Sequence, residues 1–352
     1  MRLARRSRGL VQRSRRSSMK PVAIAFFTIM SPFALYGLWK AVLGAQKAIV
    51  GRRVAAVEAR RTYDPVLRYH RDGGEPLFLV SPKHDTTLFF LEGFRTQSPA
   101  GMYRERFQKL FETGVNVIVP VYGLQSSPFD LRNRDWRLEE DLRLVGQVYD
   151  AYAATLAPGH RIIVCAQSFG AIPASSVAAF SSRRPDALVF LSPHNAELDF
   201  RVSGPMIRWL SRQSAWLRHL VRFSWAAPAP GRASVWDIVD TDRNLATAAR
   251  GDANPEDATE YGYRNELAAR LMEASILPAV SGYDAWVVCG ERDLYFAQSG
   301  FDRFASALRS GGNRVVFDRL AGSGHMVLLD ADADRAWAAI FAAIGKPVPD
   351  SF

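Results

Sequence analysis

The sequence predicts an α/β architecture: a mostly parallel eight-stranded sheet with helices on both faces. Three observations carry this. Short apolar runs of strand length alternate with longer stretches of helical periodicity, the signature of parallel strands joined by helical crossovers. The inner runs, such as Arg161-Ile-Ile-Val-Cys and Ala285-Trp-Val-Val-Cys, are almost continuously apolar, as strands buried on both faces must be. Finally, a chain of 352 residues with 48% hydrophobic content can bury the core that one such domain requires and still leave an N-terminal appendage.

In chain order, strands are expected near 64–70, 76–80, 87–91, 115–120, 160–165, 187–192, 284–289 and 314–319. Helical patterns fall near 101–113, 134–156, 169–181, 294–310 and 332–344, and no internal repeat is visible. Cys165 and Cys289 each close an inner strand, so they read as small buried hydrophobes and not as a disulfide or a metal pair.

Ser168 stands in the run Val-Cys-Ala166-Gln-Ser168-Phe-Gly170-Ala, where an apolar strand breaks into a small-x-Ser-x-Gly turn before an Ala-rich helical stretch. That is the layout of a nucleophile elbow. A sharp strand-to-helix turn holds the serine out at a helix N-terminus, and it needs small residues two positions to either side, here Ala166 and Gly170. The competing reading is a plain helix N-cap, for which serine is favoured.

Two further segments complete a nucleophile, acid, base order along the chain. The strand ending Val-Val-Cys-Gly290 delivers Asp293 three residues later, and the next strand runs into Ala-Gly-Ser-Gly324-His325. His325 is the natural general base, with Asp293 fixing its tautomer and stabilising the imidazolium. Of the six histidines, His70, His84, His160, His194 and His219 do not sit on a Gly-flanked loop after a late strand. Asp293 has two competing readings: it could cap a helix beginning near Leu294, and Asp199 is a rival for the acid.

On these segments the chain resembles the α/β-hydrolase family, in particular its monoacylglycerol lipase, lysophospholipase and small-ester hydrolase members. The resemblance spans about residues 62 to 346. It rests on Ala166-Gln-Ser168-Phe-Gly170, Gly290-Glu-Arg-Asp293 and Gly324-His325, and Thr87-Leu-Phe-Phe-Leu-Glu92-Gly93-Phe94 looks like the family's third strand and oxyanion loop. The resemblance implies that the backbone N–H groups of Phe94 and Phe169 face the oxyanion, and that no metal or organic cofactor is required. Many members carry His-Gly where this chain has Glu92-Gly93, and most carry Gly at the position of Ala166.

The resemblance also implies a helical cap inserted after the sixth of the eight strands, here about residues 194–282. Within it Met206, Trp209, Leu210, Trp216, Leu217, Leu220 and Phe223 fall on one helical face, while Arg208, Arg212, Arg218, His219 and Arg222 fall on the other. This basic amphipathic pattern either packs as a cap helix or presents Trp209, Trp216 and Leu220 to an acyl chain or a lipid surface. Asp330-Ala-Asp-Ala-Asp334 lacks the spacing and glycine of a calcium loop and reads as acids favouring a helix start.

The net charge of +10 is unevenly spread. Residues 1–20 hold seven arginines, one lysine and no acid, which leaves the remainder close to neutral and argues against nucleic acid as a partner. The next 19 residues, 21–39, carry no charge and reach the length that just spans a bilayer core. A basic tail (1–20), a signal anchor (21–39), a linker (40–61) and a catalytic domain (62–346) are therefore expected. A cleaved export signal and an organelle transit peptide are the competing readings of the N-terminus. More positive charge before the span than after it orients the catalytic domain away from the cytoplasm.

The expected activity is hydrolysis of lipid-like carboxylic monoesters at a membrane by Ser168, His325 and Asp293. Acyl transfer to another acceptor, amide or peptide hydrolysis by the same residues, and a non-catalytic scaffold that binds a membrane partner are the alternatives.

Overall fold

The computed structural model describes residues 76–93, 99–122, 138–195, 268–269, 271–293, 296–350 and 352, together with 31, 33–38 and 41. The chain divides into two compact units, residues 1–49 and 50–352. In the first, residues 33–38 are helical, with Phe33, Leu35, Tyr36 and Leu38 exposed. No helix among the described residues is long and apolar enough to cross a membrane. Most of the expected span at 21–39 lies outside them.

Among the described residues the second unit is built on seven strands: β1 (Leu77–Leu79), β2 (Thr86–Leu91), β3 (Asn116–Val119), β4 (Arg161–Gln167), β5 (Ala187–Leu191), β6 (Asp284–Gly290) and β7 (Arg314–Leu320). Among the described residues five helices accompany them: α1 (Pro99–Glu112), α2 (Leu138–Ala153), α3 (Ala171–Phe180), α4 (Gln298–Ser310) and α5 (Ala333–Ile344). The spatial order is β1-β3-β2-β4-β5-β6-β7, parallel throughout except that β1 runs antiparallel to β3. Seven of the eight expected strands are accounted for, and the expected strand at 64–70 lies outside the described residues.

The direction of each crossover decides which face its helix covers. From β2 the chain moves outward to β3 through α1, then reverses through α2 to reach β4 on the other side of β2. Right-handed crossovers in opposite directions must use opposite faces. Accordingly α1 packs with α5 on one face, where Tyr103, Phe107, Leu110, Trp337 and Phe341 meet Leu88, Phe90, Ile163 and Cys165. Helices α2, α3 and α4 cover the other, where Tyr149, Ile172 and Phe304 meet Phe89, Ile162, Val164 and Phe190. Strand alternation is legible in both clusters, since even-numbered residues of β4 face α2 and α3 while odd-numbered ones face α1 and α5.

The reversal also sets where a site can form. Open α/β sheets bind ligands beyond the carboxyl ends of strands at the point where strand order turns back, which here is the edge shared by β2 and β4.

Several boundaries depart from the sequence reading. Residues 168–170 form a 3₁₀ turn before α3 starts at Ala171, and no side chain caps either element, so Ser168 is not an N-cap. Helix α4 begins at Gln298 and not near Leu294, because Phe296 is taken into an isolated bridge, and Asp293 therefore caps no helix. The expected cap lies almost wholly outside the described residues. Of its last part, residues 272–276 make a π-helical turn and Leu277–Ala279 a 3₁₀ turn against the α3 face.

Both cysteines are free and buried, and burial, more than any neighbouring charge, pushes each thiol far above its ordinary range. A thiolate is the reactive form, so both should be inert in the native state. A thiol-specific disulfide reagent at neutral pH is expected to leave the folded protein unmodified and to titrate both cysteines after denaturation. Fast modification of either in the native protein would contradict the burial described.

Candidate active site

Strand β4 is buried from Ile162 to its end, and the chain then turns so sharply that Ser168 takes φ 50°. A non-glycine residue in the left-handed region costs on the order of 1–3 kcal/mol and persists only where the surroundings hold it. Here they do. The backbone carbonyl of Ser168 accepts the N–H of His194 at 3.0 Å, and a side chain at Gly170 would fall onto the carbonyl groups of Leu91 and Glu92. The second small position of the motif, Ala166, is fully buried in the core on the α2 and α3 face. Gly93 lies equally close, since a Cβ there would stand 3.0 Å from Ser168 Cβ and 3.6 Å from its Oγ. The serine therefore sits beside the end of β2, at the switch point of the sheet.

Among the described residues one other non-glycine residue has positive φ, Ser192 at 41°. The register Gln167↔Leu191 puts it beside Ser168 on the neighbouring strand. Its turn carries His194 inward, and rings then follow in series: Phe169 to His194 at 5.6 Å, His194 to Phe296 at 5.1 Å, and Phe296 to His325 at 5.5 Å. This aromatic series runs from the residue after Ser168 to the imidazole.

His325 and Asp293 meet directly. Nδ1 of His325 lies 2.8 Å from Asp293 Oδ2, with Asp293 1% and His325 8% exposed. An ionised carboxylate only accepts, so Nδ1 carries the proton toward it and Nε2 is left as the basic nitrogen. The other carboxylate oxygen, Oδ1, accepts the N–H of Phe296 at 3.1 Å. Two bonds thus hold a buried charge, which is the condition for keeping one. The turn that presents Asp293 is fixed against the histidine loop: Arg292 N–H donates to Ser323 O at 3.0 Å, and Gly290 has no room for a Cβ because the carbonyls of Ser323 and Gly324 pass over it.

The acids of 330–334 do lie at a helix start, with Asp332 at the N-cap position of α5 and Asp334 in its first turn, and Asp330 and Asp332 have a further task that was not expected. Asp330 Oδ2 accepts Gly324 N–H at 2.9 Å, and Asp332 Oδ2 accepts Gly322 N–H at 2.7 Å and the Ser323 hydroxyl at 3.1 Å. Asp332 occupies the N-cap position of α5 without making a side-chain cap bond, since its carboxylate is spent on the loop. These bonds immobilise the glycine-rich segment that carries His325. Among the described residues no group of His, Cys, Asp and Glu is arranged to hold a metal ion.

Glu92, which stands where the resembling family often has histidine, is fully buried. Its Oε2 accepts Gly93 N–H at 3.2 Å and its carbonyl accepts the Tyr122 hydroxyl. Burial first, and the Glu92 carboxylate next, push up the Tyr103 phenol and the Cys165 thiol. The sequence reading missed this polar layer beneath the elbow, which also includes Gln167, and it missed His194. The available signal was a glutamine closing β4 after five apolar residues and a glutamate directly after the apolar run Leu88–Leu91. Of the other expected site residues, Phe169 is buried next to Ser168, whereas Phe94, Trp209, Trp216, Leu220 and the rival acid Asp199 lie outside the described residues.

A parallel sheet covered on both faces, an elbow serine at its switch point and a buried Asp–His pair at the same edge define a hydrolase-type architecture. The chain belongs to the alpha/beta hydrolase family, which it matches over residues 88–340. No curated protein matches its sequence. Among solved structures it is similar to a carboxyl esterase from Bacillus coagulans, with 15% identity over 78% of this chain and 98% of that one and a TM-score of 0.53. It is similar also to a monoacylglycerol lipase from Paleococcus ferrophilus, with 13% identity over 77% and 98% and a TM-score of 0.52. A metagenome-derived lipolytic enzyme gives 14% identity over 78% and 98%, with a TM-score of 0.51. At these identities the likeness is one of fold.

Two substitutions test the framework. Gly170→Ala forces a methyl group onto the Leu91 carbonyl and is expected to lower unfolding stability by about 3 kcal/mol, read from urea denaturation. Asp332→Ala strips two donors of their acceptor and is expected to cost about 1–3 kcal/mol. Stability within 0.5 kcal/mol of wild type, on the order of an ordinary surface change, would contradict either role.

Proposed function

We propose that the protein is a membrane-anchored serine hydrolase that cleaves carboxylic esters, lipid-like monoesters foremost, through an acyl-enzyme. The observation that carries this reading is the buried 2.8 Å bond between His325 Nδ1 and Asp293 Oδ2 at the sheet edge where Ser168 is held on its strained turn.

In this mechanism Ser168 Oγ attacks the ester carbonyl carbon as His325 Nε2 takes its proton, and Asp293 stabilises the imidazolium. The backbone N–H groups of Phe94 and Phe169 receive the oxyanion, each contributing a few kcal/mol to the barrier reduction. The tetrahedral species collapses, the C–O bond to the alcohol breaks, and His325 returns the proton to the departing oxygen. Water then attacks the acylated serine, giving a proton to His325 that passes back to Ser168 Oγ as the carboxylic acid leaves.

The lipid preference rests on location. An uncharged 19-residue segment behind a strongly basic tail would hold the site at a bilayer, where monoesters with one acyl chain are presented. The basic amphipathic stretch with Trp209, Trp216 and Leu220 would meet the same surface. By the positive-inside rule the catalytic unit faces the non-cytoplasmic side.

The full chain, purified in detergent, is expected to label with a fluorophosphonate probe, and Ser168→Ala and His325→Ala are expected to abolish labelling. Asp293→Asn, which keeps the shape but selects the wrong tautomer, is expected to lower kcat by roughly 10³–10⁴-fold. Absence of labelling in a folded wild type would overturn the reading. Turnover is expected to rise with acyl length and with vesicle presentation; equal turnover of short soluble esters would count against the lipid preference. After alkaline carbonate extraction the full chain is expected to stay in the membrane pellet, and the charge-inserting pair Ile24→Arg and Phe27→Arg to release it. A wild type already released by carbonate would overturn the anchor.

A further inference from the structure

Gln167 precedes Ser168 and closes a strand whose preceding five residues are apolar. Alternation along β4 turns its side chain to the face of Ile163 and Cys165, and it is 1% exposed. A buried primary amide needs a partner at each end. Its Nε2 donates to Met326 Sδ at 3.1 Å, and its Oε1 accepts the Tyr103 hydroxyl at 2.6 Å. A thioether can only accept, so the contact with Met326 fixes the amide the way round that leaves Oε1 for the phenol. Tyr103 is itself clamped, fully buried with its ring against Phe90, Phe107 and Trp337.

The two ends of this chain of bonds are chemically informative. Gln167 is the residue before Ser168, and Met326 is the residue after His325. Their strands are not neighbours, because β5 and β6 lie between β4 and β7. The bond to Asp293 holds the imidazole at Nδ1, the Phe296 ring lies against it, and the bonds from Asp330 and Asp332 hold the loop before it. The contact with Gln167 ties the chain just after His325 directly to the elbow.

We propose that Gln167 is a positioning residue which, with Tyr103 behind it, sets the placement of His325 relative to Ser168. The proposal rests on the serine hydrolase reading above. The Gln167 side chain is buried and bonded to Tyr103 and Met326, neither of which is a reacting group. It acts through the main chain on either side: the elbow fixes one end of the amide's anchorage and the histidine loop the other. A glutamine is long enough to make the span, and its two ends differ, so one orientation is selected.

The test uses the full chain in detergent with Gln167→Leu, Met326→Leu and the double variant, two near-isosteric changes that remove the polar contact but keep the volume. Three quantities are read: the second-order rate of fluorophosphonate labelling, kcat and KM on a p-nitrophenyl ester normalised to labelled sites, and the melting temperature. Each single variant is expected to lower the labelling rate and kcat by about 10- to 100-fold, as misplacement of catalytic groups does, with KM within about threefold. The double variant is expected to fall no further than the worse single one, because both remove the same bond. Tyr103→Phe, which frees one end of the amide, is expected to give a smaller fall of the same kind.

If the variants that fold react at the wild-type rate, or their losses multiply in the double variant, the proposal is overturned. It is overturned also if losses follow the melting temperature and KM rises in step with the fall in kcat. A wild type that does not label overturns the serine hydrolase reading and this proposal with it. A wild type that labels beside variants that match it overturns this proposal alone.

Discussion

Six strands run parallel in a register that brings Leu91, Gln167, Leu191 and Gly290 to one edge, and every chemical group of the site hangs from that edge. Parallel pairing obliges each strand to be re-entered from its own beginning, so the carboxyl ends gather on one side while the crossovers return on the faces. The turn after β4 carries Ser168, the turn after β6 carries Asp293, and the loop after β7 carries His325. These groups lie more than 30 residues apart in sequence at each step, yet the sheet leaves only the loop conformations to be settled locally.

Settling them is where the polar core is used. Protein interiors rarely leave buried polar groups without bonds, and most of the bonds named here are directed at a loop. Asp293 divides its two oxygens between His325 and Phe296 N–H. Asp330 and Asp332 hold the glycine-rich segment, and Gln167 reaches from the elbow to Met326. The aromatic series from Phe169 to His325 fills the space between with rings in tilted and edge contacts. Close backbone approach at Gly170 and Gly290 completes the set, since both positions lie where a carbonyl crosses at less than side-chain distance.

Much of this was legible in the sequence, and the division between what was and was not follows from range. The inner strands β2 to β6 are written largely as apolar runs, as burial on both faces requires, whereas the edge strand β7 carries Arg314, Asp318 and Arg319 and is only partly buried. The Ser168 turn and the Asp293 and His325 segments are legible because each is a local pattern, a strand followed by small residues and one reactive side chain. The tasks of Asp330 and Asp332 were not, because an acidic stretch before a helix reads the same whether its oxygens cap that helix or reach back to a preceding loop. Nor was the partnership of Gln167 with Tyr103 and Met326, which joins residues 64 and 159 positions apart and leaves no periodic trace. The start of α4 was placed too early because nothing in Leu294 and Tyr295 announces that Phe296 is drawn into a bridge.

The anchors of the histidine loop have a consequence for how the base is held. Asp330 and Asp332 lie within ten residues of the glycines they hold, and the same short stretch leads into α5, whose Trp337 indole donates to Leu328 O at 3.2 Å. Loop, acids and helix therefore form one short-range unit, and α5 in turn buries Trp337, Ile340 and Phe341 in the core on the α1 face, so the histidine loop is tied to that core. The base is thus held by the same packing that holds the fold, and an enzyme built in this way keeps its imidazole placed for as long as that core stays closed.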